Sequence, residues 1–267
     1  EAVVLALGLL EDDPTFDAGT GSFLDAEGRV SLDAAVMEGR ELRAGAVACL
    51  GSFPHPSEIA LAVLRHTEHV LLVGAGAETF AHAMGFQAVP PESLIHPRER
   101  EAHARWIAAG RPDPKVFFAD PTESAAGPDP HRRGTVGVVI GVRGPEGRFH
   151  LFAGTSTGGV PGKRPGRVGD VPLVGCGLYA DDEGAAVSCT GWGEGLIRIA
   201  AAKAVNERVK EGQSPQEAAE GVLAELWRRT RGRGGLIVID AQGRTGAAFS
   251  TPDMAFAGPD VRALVWD

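Results

Sequence analysis

The first third of the chain alternates between helical apolar patterns and segments rich in turn-forming residues. Residues 1–10 have the apolar spacing of the end of a helix, and residues 57–66 repeat that spacing behind Ser57, a typical helix N-cap. Residues 11–40 are dense in Gly, Asp and Pro and predict a compact loop with short strands. Residues 69–85 predict a strand, a glycine turn and a helix.

The second half has more regular signals. A charged helix with the start "PRERE" precedes a linker at about residues 119–134. Two runs with strand-like composition, 135–142 and 148–156, flank a Gly-containing loop and predict a hairpin. Helices are predicted over Gly195–Glu211 and Ser214–Thr230, the second opened by the capping box "SPQE", and a closing hairpin surrounds "AQGR". Strands and helices thus come in separate blocks, which favours antiparallel sheets covered by helices, an α+β class.

The amino-acid composition limits the kinds of partner that the chain is expected to bind. The 267 residues include 43% hydrophobic residues, enough for one large domain or two smaller ones. A net charge of -9 disfavours nucleic acid and acidic membrane surfaces, so a small molecule or a peptide is the expected partner. The longest apolar run, Ala2–Leu10, is too short for a bilayer and lacks a charged leader, which predicts a cytoplasmic location. Three cysteines without a C-x-x-C pair suit a reducing compartment, and all three are expected to be buried.

Two motifs are weak. The stretch "VLLVGAGAET" has the layout of a dinucleotide-binding turn, but Thr79 stands at its third glycine position, which favours a simple turn between a strand and a helix. His66 and His69 lack acidic or cysteine companions at ligand spacing, which disfavours a catalytic zinc site. No cofactor for catalysis is therefore expected.

The most informative segment is 134–194. It contains Thr135, Thr157 and Thr190 among small residues, which let other backbone or a substrate approach closely. Arg167 and Asp170 match the carboxylate and the ammonium of an α-amino acid, although the same pair would also fit a turn in which the two side chains bond each other.

Five motifs in this segment occur in order: "GTVG", "TSTGG", "PGRVGD", "GLYAD" and "TGWGE". In order and spacing they resemble the plant-type (type III) L-asparaginases and isoaspartyl peptidases, which are N-terminal nucleophile hydrolases of the asparaginase 2 family. Residues 10–25 and 32–47 resemble the N-terminal half of the same proteins. The resemblance implies a four-layer αββα sandwich and hydrolysis of the side-chain amide of L-asparagine or of β-aspartyl dipeptides.

The resemblance also implies roles for individual residues. Self-cleavage between Gly134 and Thr135 would divide the domain into an α part, 1–134, and a β part, 135–267, which stay associated, with an (αβ)2 assembly expected. The freed amine of Thr135 would accept the proton of its own hydroxyl, because an ordinary α-amine has a pKa of about 7.7–8.0. By the same resemblance, Thr157 orients the nucleophile and Thr190 with Gly191 forms the oxyanion hole. The implied substrate-binding residues are Arg167, Asp170, Gly191 and Gly193.

A structural sodium or potassium ion is a further implication, with oxygen-only ligation that suits a hard cation. Its ligands would be backbone carbonyls of Leu10, Glu11, Asp13, Phe16, Ala18 and Thr20.

Two departures from the family pattern stand out. Asp17 replaces the Asn of "FNAG", and an ionised carboxylate there is expected to raise the pKa of the Thr135 amine and slow turnover. The family's first strand, which ends in "HGGAG", is missing, so an upstream segment is expected. Two alternatives stay open: a glycosylasparaginase, which the lack of a leader disfavours, and an uncleaved relative that acts as a binding module.

Overall fold

A computed structural model describes residues 1–115, 134–145 and 147–258. The predicted linker at about 119–134 lies outside the described residues except for Gly134. Seven α-helices lie within these ranges: α1 Ala2–Asp12, α2 Pro56–His66, α3 Gly74–Ala83, α4 Pro97–Ala108, α5 Gly193–Ile199, α6 Ala201–Lys210 and α7 Pro215–Thr230. The strands described there are β1 Leu32–Glu38, β2 Ala44–Leu50, β3 Leu71–Val73, β4 Val136–Arg143, β5 Phe149–Thr157, β6 Leu178–Ala180, β7 Ala185–Gly191, β8 Gly234–Asp240 and β9 Thr245–Phe249.

The strands form two sheets. One has the order β3-β2-β1-β5-β4 and the other β6-β7-β8-β9. All pairs are antiparallel except the edge pair β2–β3, which is parallel. In the first sheet β1 pairs with β5, so strands from before and after Gly134 share one sheet. This mixed architecture confirms the predicted α+β class and both predicted hairpins, β4–β5 and β8–β9.

Helices and sheets bury three apolar clusters. The first joins α1 and α2 to the five-stranded sheet through Leu7, Val36 and Ile59. A second lies between the two sheets, where small side chains such as Ala35 and Ala186 let β4 and β5 approach β7. The third joins α6 and α7 to the four-stranded sheet. Apolar burial on both faces of each sheet is the main stabilising contribution to such an arrangement.

The predicted helix Gly195–Glu211 is two helices. Ala200 adopts a left-handed conformation, with φ 49° and ψ 55°, and separates α5 from α6. The backbone N–H groups of Ala202 and Lys203 donate to the carbonyls of Cys176 and Gly175 rather than to the preceding turn. This contact with a distant loop breaks the helix, and a run of good helix formers cannot reveal it.

Three local expectations also need correction. Helix α2 begins at Pro56 with His55 as its N-cap, while Ser57 is buried and donates from Oγ to Glu11 Oε2 at 2.8 Å. Of the short strands predicted in residues 11–40, β1 Leu32–Glu38 is present, but residues 13–31 contain none. Of the cysteines, Cys189 is buried but Cys49 and Cys176 are partly exposed. By contrast, the capping box of α7 and the strand–helix turn at Gly74, whose φ is +52°, are confirmed.

Candidate active site

The threonine cluster, defined as Thr135, Thr157 and Thr190, lies where strands of the two sheets end. Strands β4 and β5 pair Val136 with Ser156, and the same antiparallel register places Thr135 opposite Thr157. Thr135 Oγ1 donates a hydrogen bond to Thr157 Oγ1 at 3.0 Å. The hairpin register therefore brings together two hydroxyls that are 22 positions apart in sequence.

Thr157 is held from two further sides. The backbone N–H of Gly159 donates to Thr157 Oγ1 at 2.9 Å, and Thr157 Oγ1 donates to Asp17 Oδ2 at 3.1 Å. With Thr135 as donor, the Thr157 hydroxyl uses its one proton and both lone pairs. This saturation fixes the rotamer of Thr157 and directs the Thr135 hydroxyl toward it.

Asp17 is 1% exposed and reaches the cluster from the loop after α1. Its Oδ1 accepts the backbone N–H of Phe23 at 2.8 Å. Burial raises the pKa of Asp17 to about 8, even though that hydrogen bond and Lys163 lower it. The expected effect of Asp17 on the Thr135 amine requires an ionised carboxylate, and at this pKa ionisation is extensive only above about pH 8.

Thr190 approaches the same junction from the other sheet. A Cβ built on Gly134 would lie 3.7 Å from Thr190 Oγ1, so this hydroxyl is a neighbour of the Gly134–Thr135 bond. The close approach of the sheets depends on Gly137, where a Cβ would collide with Ser188 Oγ. Gly191 follows with φ +126°, and a Cβ there would collide with the Arg233 carbonyl at 2.6 Å. Only glycine fits that position.

The arginine–aspartate cradle, defined as Arg167, Asp170 and Gly193, adjoins this junction. A Cβ on Gly193 would lie 2.8 Å from both Arg167 Nη2 and Asp170 Oδ1. The two charged groups therefore flank one glycine and do not bond each other, since Arg167 bonds Glu194 instead. Asp170 is 5% exposed, and its Oδ2 has no hydrogen-bond partner among the described residues.

Burial raises the pKa of Asp170 to about 7, although Arg167 lowers it, and Glu194 and Asp33 raise it further. A buried, unpaired carboxylate oxygen of this kind can accept a bond from a cation such as an ammonium group. The cradle thus offers a guanidinium and a carboxylate beside one glycine, and these are the groups that can pair with the carboxylate and the ammonium of an amino acid.

Sequence reasoning missed three residues of this region. Glu194 forms a bidentate pair with Arg167, and its presence in the "TGWGE" motif was the available signal. Lys163 is 1% exposed, and its Nζ donates to the Ser31 carbonyl at 2.8 Å. Asp33 is fully buried, and its Oδ1 accepts the backbone N–H of Cys49 at 2.9 Å. Buried charges that meet only in the folded chain leave no periodic pattern in the sequence.

The end of α1 and the loop after it contain the six carbonyls expected to bind an ion. Glu11 and Asp13 already accept backbone N–H groups from Thr20 at 2.8 Å and Phe16 at 3.1 Å. Each of these two carbonyl oxygens has a second lone pair, so its hydrogen bond leaves it able to accept a further partner. Gly19, with φ +53°, lets the turn pack closely against the Glu11 carbonyl.

The described part of the chain contains neither a side-chain cluster for a metal ion nor a membrane-spanning helix. There, no group of three or more His, Cys, Asp and Glu side chains is placed to hold a metal ion. Within the same ranges, every helix is too short or too polar to cross a bilayer.

The two-sheet fold thus places a hydroxyl cluster at a Gly–Thr junction, with a guanidinium and a carboxyl group in the adjacent cradle. A family model described as "Asparaginase" matches residues 1–263. The chain belongs to this asparaginase family.

Three similar proteins have informative names. The isoaspartyl peptidase/L-asparaginase of Danio rerio is 40% identical over 258 residues, covering 96% of this chain and 78% of that protein. The plant-type L-asparaginase of Pyrococcus abyssi is 40% identical over 271 residues, covering 96% of this chain and 82% of that protein. The isoaspartyl peptidase of Salmonella typhimurium is 40% identical over 256 residues, covering 95% and 78%.

Proposed function

We propose that this chain is an autoprocessed amidohydrolase that cleaves the side-chain amide of L-asparagine, the isopeptide bond of β-aspartyl dipeptides, or both. The observation that carries this proposal is the hydrogen bond from Thr135 Oγ1 to Thr157 Oγ1 directly after Gly134. The names of the similar proteins support the substrate class. The order of helix, sheet, sheet and helix contacts supports the four-layer αββα sandwich of N-terminal nucleophile hydrolases.

Self-cleavage would begin at the Gly134–Thr135 bond. Thr135 Oγ attacks the Gly134 carbonyl carbon, which has no Cβ to hinder it. The C–N bond then breaks as the Thr135 nitrogen takes up the proton lost by the hydroxyl, and an ester remains. Water hydrolyses the ester, which leaves a Gly134 carboxylate and restores the Thr135 hydroxyl beside a free amine.

Turnover would use the same hydroxyl. The Thr135 amine accepts the hydroxyl proton, Oγ attacks the β-carbonyl of the substrate, and the amine returns the proton to the leaving nitrogen. Thr190 Oγ1 and the Gly191 N–H stabilise the oxyanion, a type of contact worth about 3–4 kcal/mol in the transition state. Water then releases L-aspartate from the acyl-enzyme.

The cradle would hold the head group of the substrate. Arg167 binds the α-carboxylate and Asp170 the α-ammonium, while Gly193 keeps the space beside these two groups free of a side chain. An amino acid fixed at both ends presents its β-carbonyl in a defined orientation. Such fixation accounts for much of the rate advantage of an enclosed reaction.

Assembly and location follow from the same proposal. Strands β1 and β5 come from different sides of the junction and pair over residues 33–38 and 152–157, so the α and β parts stay associated after cleavage. The assembled pair forms an (αβ)2 dimer of heterodimers in the cytoplasm. A sodium or potassium ion in the loop after α1 would hold the Asp17 segment in place.

An activity assay with three substrates tests the proposal. The purified protein is incubated with L-asparagine, a β-aspartyl dipeptide and a glycosylated asparagine, and released L-aspartate is measured. We expect release from one or both of the first two. Release from the glycosylated substrate alone indicates a glycosylasparaginase, and no release from any substrate by a protein of intact mass indicates a binding module.

A further inference from the structure

Glu194 forms a bidentate ion pair with the arginine of the cradle. Arg167 Nε donates to Glu194 Oε1 at 2.9 Å, and Arg167 Nη2 donates to Glu194 Oε2 at 3.0 Å. The two side chains are 15% and 41% exposed, so the pair lies at the rim of the site rather than in open solvent. A bidentate carboxylate fixes both the position and the plane of a guanidinium.

This pair uses only one edge of the guanidinium. Within the described part of the chain, Arg167 Nη1 donates no hydrogen bond, so both of its protons and the second proton of Nη2 are unengaged. Nη1 lies beside Gly169, where a Cβ would be 2.7 Å away, and Nη2 lies beside Gly193, where a Cβ would be 2.8 Å away. The unengaged edge therefore lies beside Gly169 and Gly193. Gly193 is also the neighbour of Asp170 Oδ1.

We propose that Glu194 is a positioning residue that holds Arg167 by its Nε–Nη2 edge and so presents the Nη1–Nη2 edge to the α-carboxylate of the substrate. This inference rests on the proposed function of the cradle and extends it to a residue that does not touch the substrate. Glu194 directly follows Gly193 at the start of α5. The first turn of this helix therefore positions both the glycine of the cradle and the partner of Arg167.

The opposite role would give the opposite result. If the Glu194 carboxylate occupied the edge that the substrate needs, it would compete with the substrate, and its removal would tighten binding. If Glu194 positions Arg167, its removal lets a long, flexible side chain sample other rotamers, and binding weakens. The direction of the change in the Michaelis constant (KM) separates the two roles.

The test uses Glu194→Gln in the full chain, which keeps the side-chain length but removes the charge. We expect KM for L-asparagine and for a β-aspartyl dipeptide to rise about tenfold with kcat changed less than about twofold. Glu194→Asp should lie between parent and Gln. Glu225→Gln is the matched control, because Glu225 pairs with Arg208 and Arg229 on α6 and α7 and should leave KM unchanged.

Two further measurements keep the outcome specific. In an Arg167→Ala background, Glu194→Gln should have no added effect on kcat/KM, since its action passes through the arginine. In calorimetry, Glu194→Gln should weaken binding of L-aspartate about tenfold but leave unchanged the binding of β-alanine, which lacks an α-carboxylate.

An unchanged or lowered KM in Glu194→Gln overturns the proposal, as does an equal loss in the Arg167→Ala background. These outcomes differ from failure of the proposed function, which would appear as a parent protein with no activity on either substrate. A parent that also fails to bind L-aspartate overturns the role of Glu194 together with that of the cradle.

Discussion

The threonine cluster and the arginine–aspartate cradle lie side by side but use different kinds of side chain. The cluster consists of neutral hydroxyls. The carboxyl group that contacts it, Asp17, has a pKa of about 8 and stays largely protonated at neutral pH. The cradle contains a buried carboxyl group, Asp170, and a largely buried guanidinium, Arg167, that is paired with Glu194. Attack by a hydroxyl, in self-cleavage and in turnover, needs a nucleophile with no strong charge beside it. Recognition of a zwitterionic substrate instead needs charged groups in fixed positions. The two regions should therefore fail separately when mutated.

The largest expected effect is at Thr135. Thr135→Ala removes the attacking hydroxyl, so the variant should remain one intact chain and show no amidase activity. Thr135→Ser and Thr135→Cys retain a nucleophile and should cleave at least in part. Gel electrophoresis and an aspartate-release assay report the two effects, and Thr155→Ala, at a buried threonine whose Oγ1 instead donates to the Val171 carbonyl, controls for the loss of a threonine hydroxyl. Residual turnover in Thr135→Ala contradicts the nucleophile assignment.

The next effect is at Arg167, which belongs only to recognition. Arg167→Ala should raise KM about 100-fold for both substrates, because it removes a bidentate contact to the α-carboxylate. Self-cleavage should continue at the parental rate, since the precursor contains no substrate carboxylate. Steady-state kinetics and a cleavage time course test this separation, and unchanged substrate binding would refute the recognition role.

Acid should weaken recognition through Asp170. Its pKa is raised to about 7 in the folded protein, so the carboxylate that pairs with the substrate ammonium is progressively lost as pH falls below that value. We expect KM to rise about fivefold between pH 7 and pH 6, because the ionised fraction of Asp170 falls from about one half to about one tenth. Asp170→Asn should bind substrate weakly at all pH values and lose this dependence. A parental KM that is flat from pH 8 to pH 5.5 is inconsistent with the assignment.

The smallest effect concerns Asp17 and stability. Its pKa is raised in the folded state, so the folded chain retains a proton that the unfolded chain releases between about pH 4 and pH 8, and stability falls as pH rises through that window. Asp17→Asn removes this loss. We expect its melting temperature to exceed that of the parent more at pH 9 than at pH 5, while turnover near pH 7 changes less than about twofold. Equal shifts at both pH values argue against a protonated Asp17.

The pattern of apolar residues predicted the hairpins and the helical blocks, because regular burial leaves a regular repeat. It did not predict the break at Ala200, which depends on a contact with the distant Cys176 loop. Nor did it predict that Ser57 would bind Glu11 instead of capping its helix. Local preferences give way where a partner far along the chain supplies the hydrogen bond.

The site divides in a similar way. Short sequence motifs predicted that Thr135, Thr157, Arg167 and Asp170 belong to the site. The structure brings the two threonines into hydrogen-bond contact and places Arg167 and Asp170 beside the same glycine. The protonation of Asp17 could not be read from sequence, since it results from complete burial between the loop after α1 and the end of β5. Charge states of buried groups are properties of the packed chain.

The most direct test of the account is N-terminal sequencing of the purified protein after incubation, together with its intact mass. We predict two fragments that co-purify, residues 1–134 and 135–267 of this sequence, the second beginning Thr135-Val136-Gly137. Full amidase activity in a preparation whose mass shows only the uncleaved chain would contradict the central claim that Thr135 acts as an N-terminal nucleophile.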